Sequence, residues 1–439
     1  MKNKIKKSLA QLWLVPVCTS LALSSLAVAE TGKQPSATPP SSEWMSGFPP
    51  APERIIRSSD IDFFAGEKLR WTVCHMQELM PTKLLHRGLG SPVKLEYQLD
   101  SAIANVSFKP MGSEDNMTWD EAFAANYTDG LIVLHKGKIV YERYDGCLNE
   151  QGIHAAMSMT KSLTGLLAET LIAEGVLDQT ALASDLIPEL KNSAFGSATV
   201  RQILDMTTGL KYSEDYSDPN ADVWKYSEAT SPSPTLSDEE GPRSFFEYLQ
   251  TVKKEGEHGA AFAYKTINTD ALGWIISRST GKSVSDLLSE RLWQPMGAEQ
   301  SGNFTTDSIG TPFAGGGLSA GLRDLARVGQ LMLNEGKLNG EQLVPAAAVR
   351  NIRSGGDPKL FTAAGYTNIP DGSYKSMWWF FHNDNQAFAA RGVHGQTIYV
   401  DPSADMVIVR FASHPEAANS GNDATSLPAY QALADYLMN

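Results

Sequence analysis

Ser158-Met159-Thr160-Lys161 places a hydroxyl and an amine three residues apart, ahead of an apolar run. A serine hydroxyl is a poor nucleophile at neutral pH and needs a neighbouring base. On a helix, residues i and i+3 share a face, so the Lys161 amine can approach the Ser158 oxygen. If Ser158 opens that helix, its own N–H is free to donate to a developing oxyanion. Burial would lower the lysine pKa toward that of a usable base. The chemistry is acyl transfer; the competing reading is a capped surface helix.

Other candidate motifs carry less. Ser279-Thr280-Gly281-Lys282 repeats the spacing, but there a helix is ending and Gly281 reads as its C-cap. Gly317-Leu318-Ser319-Ala320-Gly321 fits a nucleophile elbow, which needs a strand before it. The preceding Gly310–Gly316 stretch is a poor strand, so the motif reads as a Gly-rich loop leading into a helix over Leu322–Leu333. The eight histidines form no His-x-x-x-His or similar ligand pair, so neither a metal nor another cofactor is expected. His394, flanked by Gly392 and Gly395, is a candidate site residue whose ordinary reading is a hydrogen-bonded strand-end histidine.

The elements that must position Ser158 and Lys161 follow from periodicity. Leu131–Leu134 and Ile139–Tyr141 flank His135-Lys136-Gly137-Lys138, a hairpin pattern. Leu163, Leu166, Leu167 and Leu171 recur at helical spacing over 158–173, and Gly175 marks the stop. Residues 179–300 read as helices with long polar loops, notably 211–243. Asn268-Thr269-Asp270 looks like a helix cap, and 279–281 like that helix's end. Thr397–Val400 and Met406–Phe411 are strand-like around the turn 401–405, and a last helix is expected over about 428–437. Strands at both ends and helices between predict an α/β (α+β) fold: one antiparallel sheet built from both termini, flanked by helices, with a helical subdomain inserted.

The ends of the chain and its charge set further bounds. Lys2, Lys4, Lys6 and Lys7, an apolar stretch from Leu9 to Leu26, and Ala27-Val28-Ala29 predict a signal peptide over 1–29, cleaved before Glu30. The alternative is an N-terminal membrane anchor. Residues 30–55 read as an extended leader and 56–439 as the folded domain. Loss of the four lysines takes the net charge from −13 to −17. So acidic a chain excludes nucleic acid and anionic lipid as main partners. The expected place is periplasmic or secreted, with no stable membrane anchor after cleavage. Cys74 and Cys147 can pair in an oxidising compartment or remain as two free thiols.

Taken in order, these motifs resemble the class C β-lactamase-like serine hydrolases, and within them the 6-aminohexanoate-dimer hydrolases and related carboxylesterases. The resemblance runs from about residue 70 to the end. It rests on Ser158–Ser162, on Thr199–Leu210, on Tyr264-Lys265-Thr266-Ile267-Asn268, on Gly315–Ala320 with Arg323–Arg327, and on Gly392-Val393-His394-Gly395-Gln396 before Asp401-Pro402. It implies Ser158 as nucleophile, Lys161 as its activator, and Tyr264 as a phenol sharing protons with them. It implies an oxyanion hole from the N–H of Ser158 and that of Val393, with Gly395 offering a second register. Tyr212, Tyr216, Gly392 and His394 become candidate substrate contacts. For the two tyrosines, the alternative is exposed loop aromatics. Trp378 and Trp379 are expected to pack under the site.

Two departures bear on substrate. The family's Lys-Thr-Gly is replaced by Ala390-Arg391-Gly392 or Val393-His394-Gly395, and Thr266 stands where the tyrosine motif usually has Asn. The missing lysine is the one that meets a β-lactam carboxylate. The resemblance therefore implies a small-molecule ester or amide as substrate, with β-lactam hydrolysis weak or absent. The alternatives are a D-amino-acid peptidase or DD-peptidase, and a non-catalytic cell-wall-binding protein on the same scaffold.

Overall fold

A computed structural model describes residues 44–60, 62–231, 241–365, 369 and 371–439. The export segment read at 1–29 and the leader as far as residue 43 lie outside the described residues. Among the described residues, no helix is long and apolar enough to cross a membrane.

The chain runs through β1 (Thr82–Leu85), β2 (Glu96–Tyr97), α1 (Trp119–Ala125), β3 (Thr128–His135), β4 (Lys138–Tyr144) and β5 (His154–Ala155) to α2 (Met159–Ala173). A helical stretch follows that includes α3 (Asp222–Ala229) and α4 (Ile267–Thr280). Then come β6 (Gly302–Thr305), β7 (Leu318–Ala320), α5 (Leu322–Leu333), β8 (Ser373–Lys375), β9 (Trp378–Phe380), β10 (Phe388–Gly392), β11 (Gln396–Asp401), β12 (Met406–Ala412) and α6 (Ser420–Met438).

The large sheet has eight strands in the order β8-β9-β10-β11-β12-β3-β4-β2. It does join the two ends of the fold, because β12 lies antiparallel against β3. The sheet is mixed rather than wholly antiparallel: the short edge strand β2 runs parallel to β4. The β3–β4 connection is a two-residue turn in which Lys136 (φ 50°) and Gly137 (φ 77°) are both left-handed, matching the twist of a tight hairpin.

Side-chain alternation gives the sheet two buried faces. Leu131, Val133, Met406 and Ile408 pack with Trp119 and Phe123 of α1 and Tyr430 and Leu433 of α6. Ile132, Leu134, Val407 and Val409 face the other way, into the larger core with α2 and α5. Each such side chain contributes roughly 1.5–3 kcal/mol relative to exposure. A second, four-stranded sheet (β1-β6-β7-β5) closes the region before α2. Cys74 and Cys147 are joined in a disulfide, which settles the alternative left by their types alone.

Three local readings are corrected. The last helix begins at Ser420, not near Pro428. Pro428 cannot donate to the carbonyl of Ala424, but Met111 N–H fills that acceptor at 2.8 Å, so the helix runs through the proline. Residues 318–320 form strand β7 rather than a loop, paired with β5 and β6. Asn268, Thr269 and Asp270 do not cap α4. They lie buried inside its first turn, after an N-cap at Thr266, and their side chains bond to other elements.

Candidate active site

The position of Ser158 is set by what precedes it. β5 pairs with β7, Ala155 N–H donates to Val73 O at 2.7 Å, and Ala156 N–H donates to Leu318 O at 2.7 Å. The chain then turns through Met157, whose φ of 47° is left-handed for a residue with a Cβ. Such a residue costs about 1–2 kcal/mol and is tolerated where the surroundings hold it. Here Thr160 Oγ1 donates to Met157 O at 2.5 Å and accepts from Leu318 N–H at 3.2 Å. The turn leaves Ser158 at the N-cap of α2, 8% exposed, with its amide ahead of the helical ladder.

Lys161, one turn on, is 1% exposed. Its Nζ lies 2.8 Å from Ser158 Oγ and 2.5 Å from Gly315 O. Burial pulls its pKa down to about 8, opposed by the negative charges of Glu214 and then Asp270. The Tyr264 ring stands over this amine, 5.2 Å from centroid to Nζ. Trp379 backs the Tyr264 ring at 5.4 Å and Tyr374 meets its edge at 6.1 Å. Trp378 lies beneath α2 and donates from Nε1 to Ser162 O at 3.2 Å.

β10 brings Gly392 against the backbone of Ser158. A Cβ at 392 would stand 3.0 Å from Ser158 N and 2.8 Å from Ala156 O, so only glycine permits the approach. Val393 follows directly and opens a single 3-10 turn to Gly395. His394 within that turn is left-handed (φ 63°) and buried, with its Nδ1 2.7 Å from His414 O. Burial holds its pKa below the usual histidine value. Its ring is tied to the backbone and packs edge-on against Phe64 at 5.7 Å.

The two candidate tyrosines of the loop after Gly209 part company. Tyr212 is buried at 5% exposure and packs edge-on against Tyr226, 6.2 Å away. Tyr216 is half-buried and donates to Glu214 Oε1 at 2.8 Å. Glu214 also accepts from Thr266 N–H and Thr266 Oγ1, each at 2.5 Å. The threonine found where the tyrosine motif usually has Asn thus ties this loop to the start of α4.

Glu214, Asp270 and Gly315 were not read as site residues. Asp270 accepts from Tyr226 Oη at 2.5 Å and from Gly315 N–H at 3.0 Å, the residue whose carbonyl meets Lys161. The Gly315-Gly316-Gly317 run was the available signal: a Cβ at 315 would lie 2.7 Å from Thr266 Cγ2. Elsewhere, ligand atoms of Cys74, Cys147 and His154 gather within 4.8 Å of one another. Both sulfurs are spent in the disulfide, and the His154 ring nitrogens face Ala155 O at 2.9 Å and Asp129 at 3.3 Å.

A helix-borne serine and buried lysine between a mixed sheet and a helical region are the arrangement of a β-lactamase-fold hydrolase. The chain belongs to the Beta-lactamase family, whose sequence profile matches residues 125–432. Within it, the chain is 33% identical over 349 residues to the 6-aminohexanoate-dimer hydrolase of Paenarthrobacter ureafaciens, covering 79% of this chain and 86% of that one. A solved Bacillus anthracis structure assigned to the same hydrolases superposes with a TM-score of 0.78 at 32% identity, over 86% of this chain and 96% of the other. A D-stereospecific amidohydrolase from Streptomyces sp. shares the fold, with a TM-score of 0.52 at 17% identity over 70% and 96% of the two chains. The protein is a hydrolase and a homologue of 6-aminohexanoate-dimer hydrolase.

Proposed function

We propose that the protein is an exported serine hydrolase that cleaves carboxylic esters or linear amides through an acyl-enzyme on Ser158. The observation that carries this is the buried Lys161 amine 2.8 Å from Ser158 Oγ, with its pKa drawn down to about 8. Ser158 Oγ attacks the substrate carbonyl as its proton passes to Lys161, with the Tyr264 phenol alongside. The N–H groups of Ser158 and Val393 hold the oxyanion. The proton then goes to the leaving alkoxide or amine as the acyl bond breaks. Water attacks the acyl-enzyme and gives up a proton to Lys161, and that proton passes to Ser158 Oγ as its bond to the acyl carbon breaks, releasing the acid and free Ser158. Tyr216, Gly392 and His394 border the path of the substrate, with Tyr212 behind them.

The substrate class follows from what is missing and from similarity. Arg391, in the stretch that replaces Lys-Thr-Gly, is bound to Asp423 and buried, so it is not presented to a β-lactam carboxylate. The 6-aminohexanoate-dimer hydrolase similarity supports a linear amide among the substrates. A fluorophosphonate probe followed by peptide mass mapping tests the reading, with a single adduct expected on Ser158. Absence of the adduct overturns it. Faster turnover of D-Ala peptides than of simple esters and linear amides moves the assignment to a DD-peptidase.

Export rests on the residues 1–29 pattern and is supported by the Cys74–Cys147 disulfide, since such bonds persist in oxidising compartments. N-terminal sequencing of protein recovered outside the cytoplasm should begin at Glu30. Recovery of the intact Met1 terminus in the membrane fraction would instead establish an anchor.

A further inference from the structure

We propose that Asp270 is a positioning residue for acyl transfer: by holding the Gly315 N–H it fixes the residue whose carbonyl aims the Lys161 amine at Ser158. The inference rests on the serine-hydrolase reading. A neutral amine has two N–H bonds and one lone pair. To take the Ser158 proton, its lone pair must face Oγ, so its N–H bonds must be directed elsewhere. Gly315 O, 2.5 Å from Nζ, receives one of them. That carbonyl belongs to a run of glycines and needs an anchor. Asp270 supplies it by accepting the Gly315 N–H at 3.0 Å through one carboxylate oxygen, while Tyr226 Oη holds the other at 2.5 Å.

The arrangement is buried. Asp270 is 4% exposed and Tyr226 is buried on α3. A side chain at 315 would lie 3.0 Å from Asp270 Oδ2. The ionisable groups facing Lys161 are Ser158 on its own helix, Tyr264 before α4, Asp270 on α4 and Glu214 in the loop. Those around Asp270 are Tyr226, Tyr212, Lys161 and Glu214. A carboxylate in so dry a site is half-titrated near neutrality: burial raises Asp270 to about 7, against the Tyr226 hydrogen bond, Lys161 and Gly315 N–H. Its negative charge in turn raises Lys161. Asp270 therefore acts on the direction of the amine and, after burial and Glu214, on the pH at which it sheds its proton.

The sign of the effect is fixed. Catalysis needs neutral Lys161, so kcat/KM rises with pH along an acid limb near the lysine pKa. Removing the Asp270 charge lowers that pKa and moves the limb to lower pH. Removing the Tyr226 hydroxyl favours protonated Asp270 and moves the limb the same way, by less.

The test is the pH profile of kcat and kcat/KM for a short-chain p-nitrophenyl ester, in wild type, Asp270→Asn and Tyr226→Phe, with thermal melts to show folding. Asp270→Asn is expected to shift the limb down by about one pH unit and to lower the plateau kcat roughly tenfold or more. Tyr226→Phe shifts the limb by a smaller amount in the same direction, and it carries the test alone if the asparagine variant does not fold. Folded variants that label with fluorophosphonate but show an unmoved limb overturn the proposal, leaving Asp270 a structural residue. Wild-type protein that neither labels at Ser158 nor shows the limb overturns the serine-hydrolase reading and this proposal with it.

Discussion

Replacing Ser158 with alanine is expected to lower kcat/KM for short-chain p-nitrophenyl esters by about 10⁴-fold or more, while the thermal midpoint barely moves. Loss of a nucleophile removes the covalent route and leaves only binding and the oxyanion donors. The structural cost is small because, among the described residues, Ser158 Oγ has one side-chain partner, Lys161, and that amine keeps Gly315 O. Steady-state kinetics with a melt on the same preparation check both halves. Activity within tenfold of wild type removes Ser158 from the mechanism.

The second large effect is expected at a residue with no side chain. Gly392→Ala puts a methyl group 2.8 Å from Ala156 O, 3.0 Å from Met157 Cβ and 3.0 Å from Ser158 N. Gly392 is in extended conformation (φ −134°, ψ 154°), so alanine meets no backbone penalty and the whole effect is steric. Two of the three contacts are backbone and cannot rotate away. β10 must retreat from the Ser158 amide, separating the two proposed oxyanion donors. The expectation is a fall of about 10²–10³ in kcat, KM changed little, and about 1–3 kcal/mol of stability lost. Unimpaired kcat would show that this approach has no part in catalysis.

How much of this could be read from residue order depends on range. Ser158 and Lys161 are neighbours on one helical face, so their meeting is a local fact of 3.6-residue periodicity. Tyr264 belongs to a distant segment, and its place over the amine was accessible through family resemblance alone. Asp270 shows the reverse error: Asn-Thr-Asp before an apolar run carries capping residue types, yet tertiary burial claims all three side chains. The β3–β4 hairpin and the β11–β12 pair announced themselves through β-branched runs around turn residues. β8, β9 and β10 did not. β9 and β10 are short, buried and rich in Trp, Phe and Ala, with no polar alternation to betray a strand, and β8 (Ser-Tyr-Lys) is too short for its alternation to register. Tyr212 looked like a loop aromatic because its neighbours are polar; the structure packs it inside.

The junction of β3 with β12 has a consequence for the chain's history. Synthesis delivers α2, with its serine and lysine, long before the strand that carries Gly392 and the strand that closes against β3. Until those arrive, β3 presents an open hydrogen-bonding edge, a surface inviting holdase capture or mispairing. The approach of Gly392 to Ser158 is likewise unbuilt, so on the proposed mechanism a nascent or nicked polypeptide lacking its final strands carries Ser158 and Lys161 without the oxyanion donor that follows β10. On that mechanism hydrolytic competence arrives with the last elements to dock, and folding to that point requires slow, long-range pairing.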